Sequence, residues 1–207
     1  MEVFVICIII FLILYLIFKH LLSQSKRPTG IIGLLMMRIW NNAYLPMSEW
    51  SLSFLNKKNY DNVLDIGIGN GATTKYISDN LYCKSVTGID ISDKAIEQAK
   101  IHNLRKNIRF EKRDIKATQY PSEYFDLICA FQNHFHWENL HKSFMEIKRI
   151  MSNDGILLIG CEYAKIKYFL PDLKSKEAFE IYLDSLNLKL IQAKENKGWI
   201  FYKIMKK

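Results

Sequence analysis

The stretch Val63 to Thr74 reads VLDIGIGNGATT: a short apolar run, an acid, three alternating glycines and the small residues that open a helix. Val63, Leu64 and Ile66 suit a strand buried on both faces of a parallel sheet. At its carboxyl end Gly67, Gly69 and Gly71 let the backbone turn tightly and approach a ligand more closely than a Cβ would allow. A helix starting near Ala72 then aims unpaired N–H groups at whatever lies above the loop. About 20 residues on, Gly88-Ile89-Asp90-Ile91-Ser92 supplies the end of the next strand, with an acid placed to accept hydrogen bonds from ribose hydroxyls. Together they predict a nucleoside-type cofactor site. A turn that binds nothing leaves both features unexplained.

The amino terminus is of another kind. Val3 to Phe18 is sixteen residues without a charge. As one helix, Val3 to Leu22 spans about 30 Å, the thickness of a hydrocarbon core. Lys19 interrupts the apolar run but can snorkel to the headgroups. A cleaved signal peptide is the competing reading; no basic segment precedes the run and no small-x-small site follows it. A buried core helix would need a large surrounding domain. Residues 1–22 are therefore read as a transmembrane anchor, residues 23–58 as linker and cap helices, and residues 59–207 as the main domain. Lys19, Lys26 and Arg27 follow the run and none precedes it, which puts the main domain in the cytoplasm of a single-pass protein. Cys7, Cys83, Cys129 and Cys161 have no ligand spacing, consistent with a reducing compartment and against a structural zinc.

The net charge of +8 raises nucleic acid as a partner, but the lysines are dispersed. Beside an anchor, anionic lipid explains the excess at least as well, so no nucleic acid is expected.

Along the chain, Ile31 to Trp40 reads as an amphipathic helix broken by Asn41-Asn42 and Pro46. Ser48 to Leu55 reads as a second helix. Strands are expected at Asn62–Ile66, Ser85–Ile89, Ile108–Lys112, Phe125–Ala130 and Ile156–Cys161, with helices at Ala72–Asp79, from Ser92 as N-cap, and at Leu140–Ile150. Asn153-Asp154-Gly155 reads as a turn closing the last of these. A helix at Ser175–Ser185 precedes two strands, Leu188–Ala193 and Trp199–Met205, joined as a hairpin through Glu195-Asn196-Lys197-Gly198. Alternation of this kind predicts an α/β fold: a doubly wound, seven-stranded, mostly parallel sheet closed by an antiparallel C-terminal hairpin.

From Tyr60 onward the chain resembles the class I S-adenosylmethionine-dependent methyltransferases, in particular the small type 11 members. The resemblance implies that Asp65, Gly67, Gly69 and Gly71 hold the methionine part of S-adenosylmethionine. It gives the ribose to Asp90, with Ile91 beside it, and the adenine amino group to Asp114 in Phe110-Glu111-Lys112-Arg113-Asp114-Ile115, so that Ile115 joins the set. Cys129-Ala130-Phe131-Gln132-Asn133 would line the transfer site, which adds Ala130 and Phe131 to the cofactor contacts. The sulfonium makes an acid such as Asp65 sensible at the loop. Transfer to a small-molecule or lipid-like acceptor would be an in-line displacement, in which the protein aligns the groups and excludes water.

Phe131-Gln132-Asn133-His134-Phe135-His136-Trp137 is dense in chemistry and sits where open α/β sheets place ligands. Phe131, Phe135 and Trp137 are expected to wall the site, although Trp137 also suits ordinary core against the following helix. His134 and His136 are candidate general bases; as metal ligands they lack a third partner, and the plain alternative is a structural role. Two other functions compete: an NAD(P)-dependent oxidoreductase, because Gly67-x-Gly69-x-x-Ala72 fits a loosened dinucleotide fingerprint, and a non-catalytic, membrane-tethered cofactor-binding domain. Gly71 in the loop interior, Asp114 and the closing hairpin weigh against the first. Intact glycines and acids favour cofactor binding but do not separate the second from an enzyme.

Overall fold

The computed structural model describes residues 2–26, 30–55, 59–103 and 105–207. Helices α1 (Glu2–Lys26) and α2 (Gly30–Leu52) precede β1 (Asn59–Ile66), α3 (Ala72–Asn80), β2 (Tyr82–Asp90), α4 (Asp93–His102) and β3 (Ile108–Lys112). After them come β4 (Phe125–Phe131), α5 (Leu140–Ile150), β5 (Met151–Glu162), α6 (Tyr163–Phe169), α7 (Lys176–Ser185), β6 (Leu188–Asn196) and β7 (Trp199–Lys206). The strands form one sheet in the order β3-β2-β1-β4-β5-β7-β6. Every pairing is parallel except those of β7, which runs against both β5 and β6. The expected sheet and its single reversed strand are both present. Lys197 and Gly198, at φ 48° and 86°, make the two-residue turn that a tight hairpin requires.

The core divides by strand periodicity. In β4, Leu127, Cys129 and Phe131 pack with Met47, Leu52, Ile77 and Phe201 on one face of the sheet. Ile128 and Ala130 pack with Phe144, Ile147, Phe179 and Leu183 on the other. The period of two in β4 therefore puts α2 and α3 on one side and α5 and α7 on the other.

Three elements differ from the sequence reading. First, α2 is a single helix with Pro46 inside it, not two helices broken at Asn41-Asn42. Proline removes the hydrogen bond to the carbonyl four residues back, but Asn42 and Pro46 both lie on the exposed face of the helix rather than in the core. On the opposite face Met47, Ser48, Ser51 and Leu52 are buried, and that packing carries the helix through the proline. Second, Asn153-Asp154-Gly155 is not a turn. Helix α5 stops at Met151, which pairs with Phe125, and the next pairing is Leu127 with Ile156, so Ser152 to Gly155 form a register shift inside β5. Third, the sequence reading had no helix at α6, seven residues long, which follows β5 directly.

Helix α1 exposes its apolar surface. Within it Phe4–Leu21 is long and apolar enough to cross a membrane, and none of that stretch is buried against the rest of the protein. The expected linker is partly helical through Lys26; residues 27–29, which include Arg27, lie outside the described residues.

Candidate functional site

At the carboxyl end of β1 the chain turns through Gly67 and Gly69, whose φ values of 68° and 55° favour glycine. Space matters as much as torsion. A Cβ on Gly67 would lie 2.6 Å from Asn133 Nδ2, and one on Gly69 would lie 2.7 Å from Asn41 Nδ2. The loop is pinned below by Gly67 N–H donating to Ile89 O at 2.8 Å. At the far side Asn70 Oδ1 accepts from Ala72 N–H at 3.1 Å as α3 begins.

Two acids support the loop. Asp65 is 2% exposed and accepts from Thr74 Oγ1 at 2.7 Å. Burial pushes its carboxyl up to about 7, against the Thr74 hydrogen bond and with a smaller push from Asp90. Asp65 thus ties β1 to the first turns of α3 beneath the glycines. At the end of β2, Asp90 accepts from Gly69 N–H at 3.2 Å through Oδ2 and from Ser92 N–H at 2.9 Å through Oδ1. Its carboxyl is raised by burial, opposed by the backbone N–H groups of Ser92, Gly69 and Ile91. A carboxylate has about four acceptor positions, so these bonds fix its direction and leave capacity for a diol.

The remaining sequence-selected residues lie along the same edge. Ile91, 42% exposed, stands just past Asp90 and offers an apolar face. Asp114 follows β3; Lys116 N–H donates to its Oδ1 at 3.1 Å, and Lys116 Nζ lies 3.4 Å from its Oδ2. Ile115 is buried beside it, and Ala130, buried at the end of β4, pairs with Ile66. Phe131 is also buried, on the α2 side of the sheet, whereas Phe135 and Trp137 pack on the other side. The expected three-ring wall is therefore divided by the sheet: Phe131 is the last residue of β4, and the chain then leaves the strand through Gln132 into the turn that carries Phe135 and Trp137 to the other face. Trp137 lies 5.8 Å from Phe144 of α5, as core packing would have it.

Beyond β4 the chain passes through Gln132 at φ 56° into a short 3-10 turn, His134–His136. Asn133 Nδ2 donates to Ile66 O, joining β4 to the start of the glycine loop. His134 is 2% exposed and pushed down to about 3, by burial first and then by His136. It is neutral at working pH and a weak base. The ring of His136 meets Phe169 of α6 at 4.9 Å and Phe135 at 4.5 Å.

The structure adds residues that the sequence reading passed over. Asn41 of α2 sits over Gly69, and its Nδ2 donates to Asn70 Oδ1 at 2.5 Å. Tyr44, one turn on, donates to Glu162 Oε2 at 3.1 Å. Glu162 ends β5 and also accepts from Gln132 Nε2 at 2.9 Å, while Gln132 Oε1 accepts from Glu162 N–H at 2.8 Å. Burial raises the Tyr44 phenol to about 12, with Gln132 opposing and Glu162 adding. Helix α2 thus reaches from the loop after β1 to the end of β5. Asn41-Asn42 reads as a helix break in sequence, which hides this role.

A glycine cradle closed by side chains, a ribose-ready carboxylate and an apolar face beside it fit an adenosine-bearing cofactor. Comparison with known proteins agrees. Residues 64–159 match the family described as methyltransferase domain. The uncharacterized methyltransferase YcgJ of Bacillus subtilis is 31% identical over 106 residues, which cover 49% of this chain and 41% of that protein. The ribosomal protein L11 methyltransferase of Dictyoglomus thermophilum is 27% identical over 138 residues, covering 66% and 41%. The chain spans about two fifths of the length of these curated relatives. The crystal structure of a SAM dependent methyltransferase from Aquifex aeolicus superposes with a TM-score of 0.67 at 17% identity, covering 84% of this chain and 98% of that one. It shows the same fold.

Proposed function

We propose that the chain is a class I S-adenosylmethionine-dependent methyltransferase, as the family match over residues 64–159 supports, and that it methylates a small-molecule or lipid-like acceptor at the carboxyl edge of β4 and β5. The observation that carries this reading is the tie between Asp90 and Gly69 N–H, which aims a ribose-binding carboxylate across the glycine loop.

Bound S-adenosylmethionine supplies an electrophilic methyl group on a positively charged sulfur. The residues do the rest. Gly67 and Gly69 give the loop its left-handed turns and let Asn133 and Asn41 pack on its backbone, Asp90 accepts from the ribose hydroxyls, and Asp114 accepts from the adenine amino group with Ile91 against the ring. Phe135 stacks on Phe169 at 5.4 Å, an apolar lid that keeps water from the reacting groups. His136 is the better placed of the two histidines to take a proton from the acceptor, because His134 is held neutral and barely basic by burial.

We further propose that α1 is a single membrane-spanning anchor and that the domain works at the cytoplasmic face. Its unburied apolar surface supports this. So does α2, whose outward residues Ile31, Leu35 and Ile39 are exposed and apolar until Asn42, where the same face turns polar. Tethering raises the local concentration of a membrane-resident acceptor. Incubating the full chain in lipid vesicles with methyl-labelled S-adenosylmethionine and separated polar and lipid extracts tests the reading. Label in the lipid fraction supports a membrane acceptor, label in the polar fraction alone refutes that part, and label in neither refutes transfer to these acceptor classes.

A further inference from the structure

The buried side-chain atoms with no hydrogen-bond partner among the described residues include the indole Nε1 of Trp40, next in α2 to the Asn41 that sits over Gly69, and the amide Oδ1 of Asn133, beside Gly67. The first can only donate and the second can only accept. Burying such atoms unpaired is unfavourable, so a ligand carrying both an acceptor and a donor would satisfy the pair. Neither side chain is loosely held. Asn133 commits its Nδ2 to Ile66 O, which fixes where Oδ1 points, and it packs against Gly67. Trp40 stacks on Tyr44 at 5.6 Å with 12° between the rings, and Tyr44 is held by Glu162. Its neighbour Asn41 is fastened over Gly69 through Asn70.

We propose that Trp40 and Asn133 bind the amino-acid end of the cofactor, the indole N–H donating to the carboxylate and Asn133 Oδ1 accepting from the ammonium. This rests on S-adenosylmethionine being the ligand. It makes α2 part of the cofactor site, completed only when that helix is seated on the loop. The complementarity is that of a zwitterion: Trp40 offers a donor and Asn133 an acceptor to the two charges of the amino-acid end.

Calorimetry on the full chain in detergent micelles separates this inference from the reading beneath it. The ligands are S-adenosylhomocysteine, 5′-methylthioadenosine, which lacks the amino-acid end, and decarboxylated S-adenosylmethionine, which keeps the ammonium alone. Trp40→Phe retains a ring for Tyr44 and removes the donor. Affinity for S-adenosylhomocysteine should fall about ten- to a hundredfold, the loss of a hydrogen bond to a charged group. Affinity for the other two ligands should stay within about twofold. An equal fall for all three ligands would show that Trp40 acts only through the fold, and no fall for S-adenosylhomocysteine would remove its role; either overturns the proposal. If the wild type binds none of the three, the cofactor assignment fails with it.

Discussion

Asp65 offers a test in which structure fixes both sign and size. In the unfolded chain its carboxyl ionises near 3.8, whereas burial beneath the glycine loop pushes it up to about 7 in the folded protein. Between those pH values the folded state keeps a proton that the unfolded state has lost, so stability falls as pH rises and the loss is complete above about 7. Moving a carboxyl over that range corresponds to roughly 4 kcal/mol. Asp65→Asn has nearly the same shape, and its amide oxygen can still accept from Thr74 Oγ1, now at 2.7 Å from Asp65 Oδ2. The variant should therefore become progressively more stable than the wild type, by roughly 2–3 kcal/mol between pH 5 and pH 8. For a domain of this size that is about 5–10 °C in melting temperature. Thermal unfolding of the full chain in mild detergent, followed by circular dichroism across that range, measures it. Parallel wild-type and variant profiles would refute the buried, proton-holding Asp65.

Other expectations follow from the same geometry. Asp90→Ala should weaken S-adenosylmethionine binding by about 1.5–3 kcal/mol in calorimetry, through loss of charge-assisted hydrogen bonds; unchanged affinity would remove Asp90 from the ribose. His136→Ala should lower methyl transfer while leaving cofactor affinity intact, and a wild-type rate would return His136 to structure. His134, held well below the ordinary histidine value, should make the protein lose stability as pH falls below about 6.5, because the unfolded chain takes up the proton first; His134→Phe should flatten that acid limb in the same unfolding experiment. A nitroxide at Leu35→Cys should be more accessible to oxygen than to a water-soluble relaxant in anionic vesicles, as should one at Leu12→Cys on α1. Water exposure at position 35 alone would leave α1 as the anchor and take α2 off the membrane surface.

Much of this was legible in the sequence, because the glycine loop and the carboxylates that follow β2 and β3 are local signals tied to strand ends. Helix α5 and β3 fall where periodicity puts them, and the Lys197-Gly198 turn reads directly as a hairpin. What escaped is tertiary. Pro46 breaks helices in isolation, yet burial of Met47, Ser51 and Leu52 overrides it. The turn signal at Asn153 to Gly155 is overridden by the pairing of Met151 with Phe125. Nothing near Trp40, Asn41 or Glu162 in sequence marks them as neighbours of the site, since they reach it from α2 and from the end of β5. The apolar wall divided because β4 ends at Phe131: alternation sets Phe131 opposite Ala130, and the positive-φ step at Gln132 and the turn after it, which no strand period marks, carry Phe135 to the Ala130 side.

The most direct measurement is calorimetric titration of the full chain in detergent with S-adenosylmethionine, S-adenosylhomocysteine and NAD in turn. Saturable binding of the first two, at micromolar affinity or better, with no heat from NAD, is the result expected of a site built on Gly67, Gly69, Asp90 and Asp114. Binding of NAD with no response to either adenosyl ligand would contradict it.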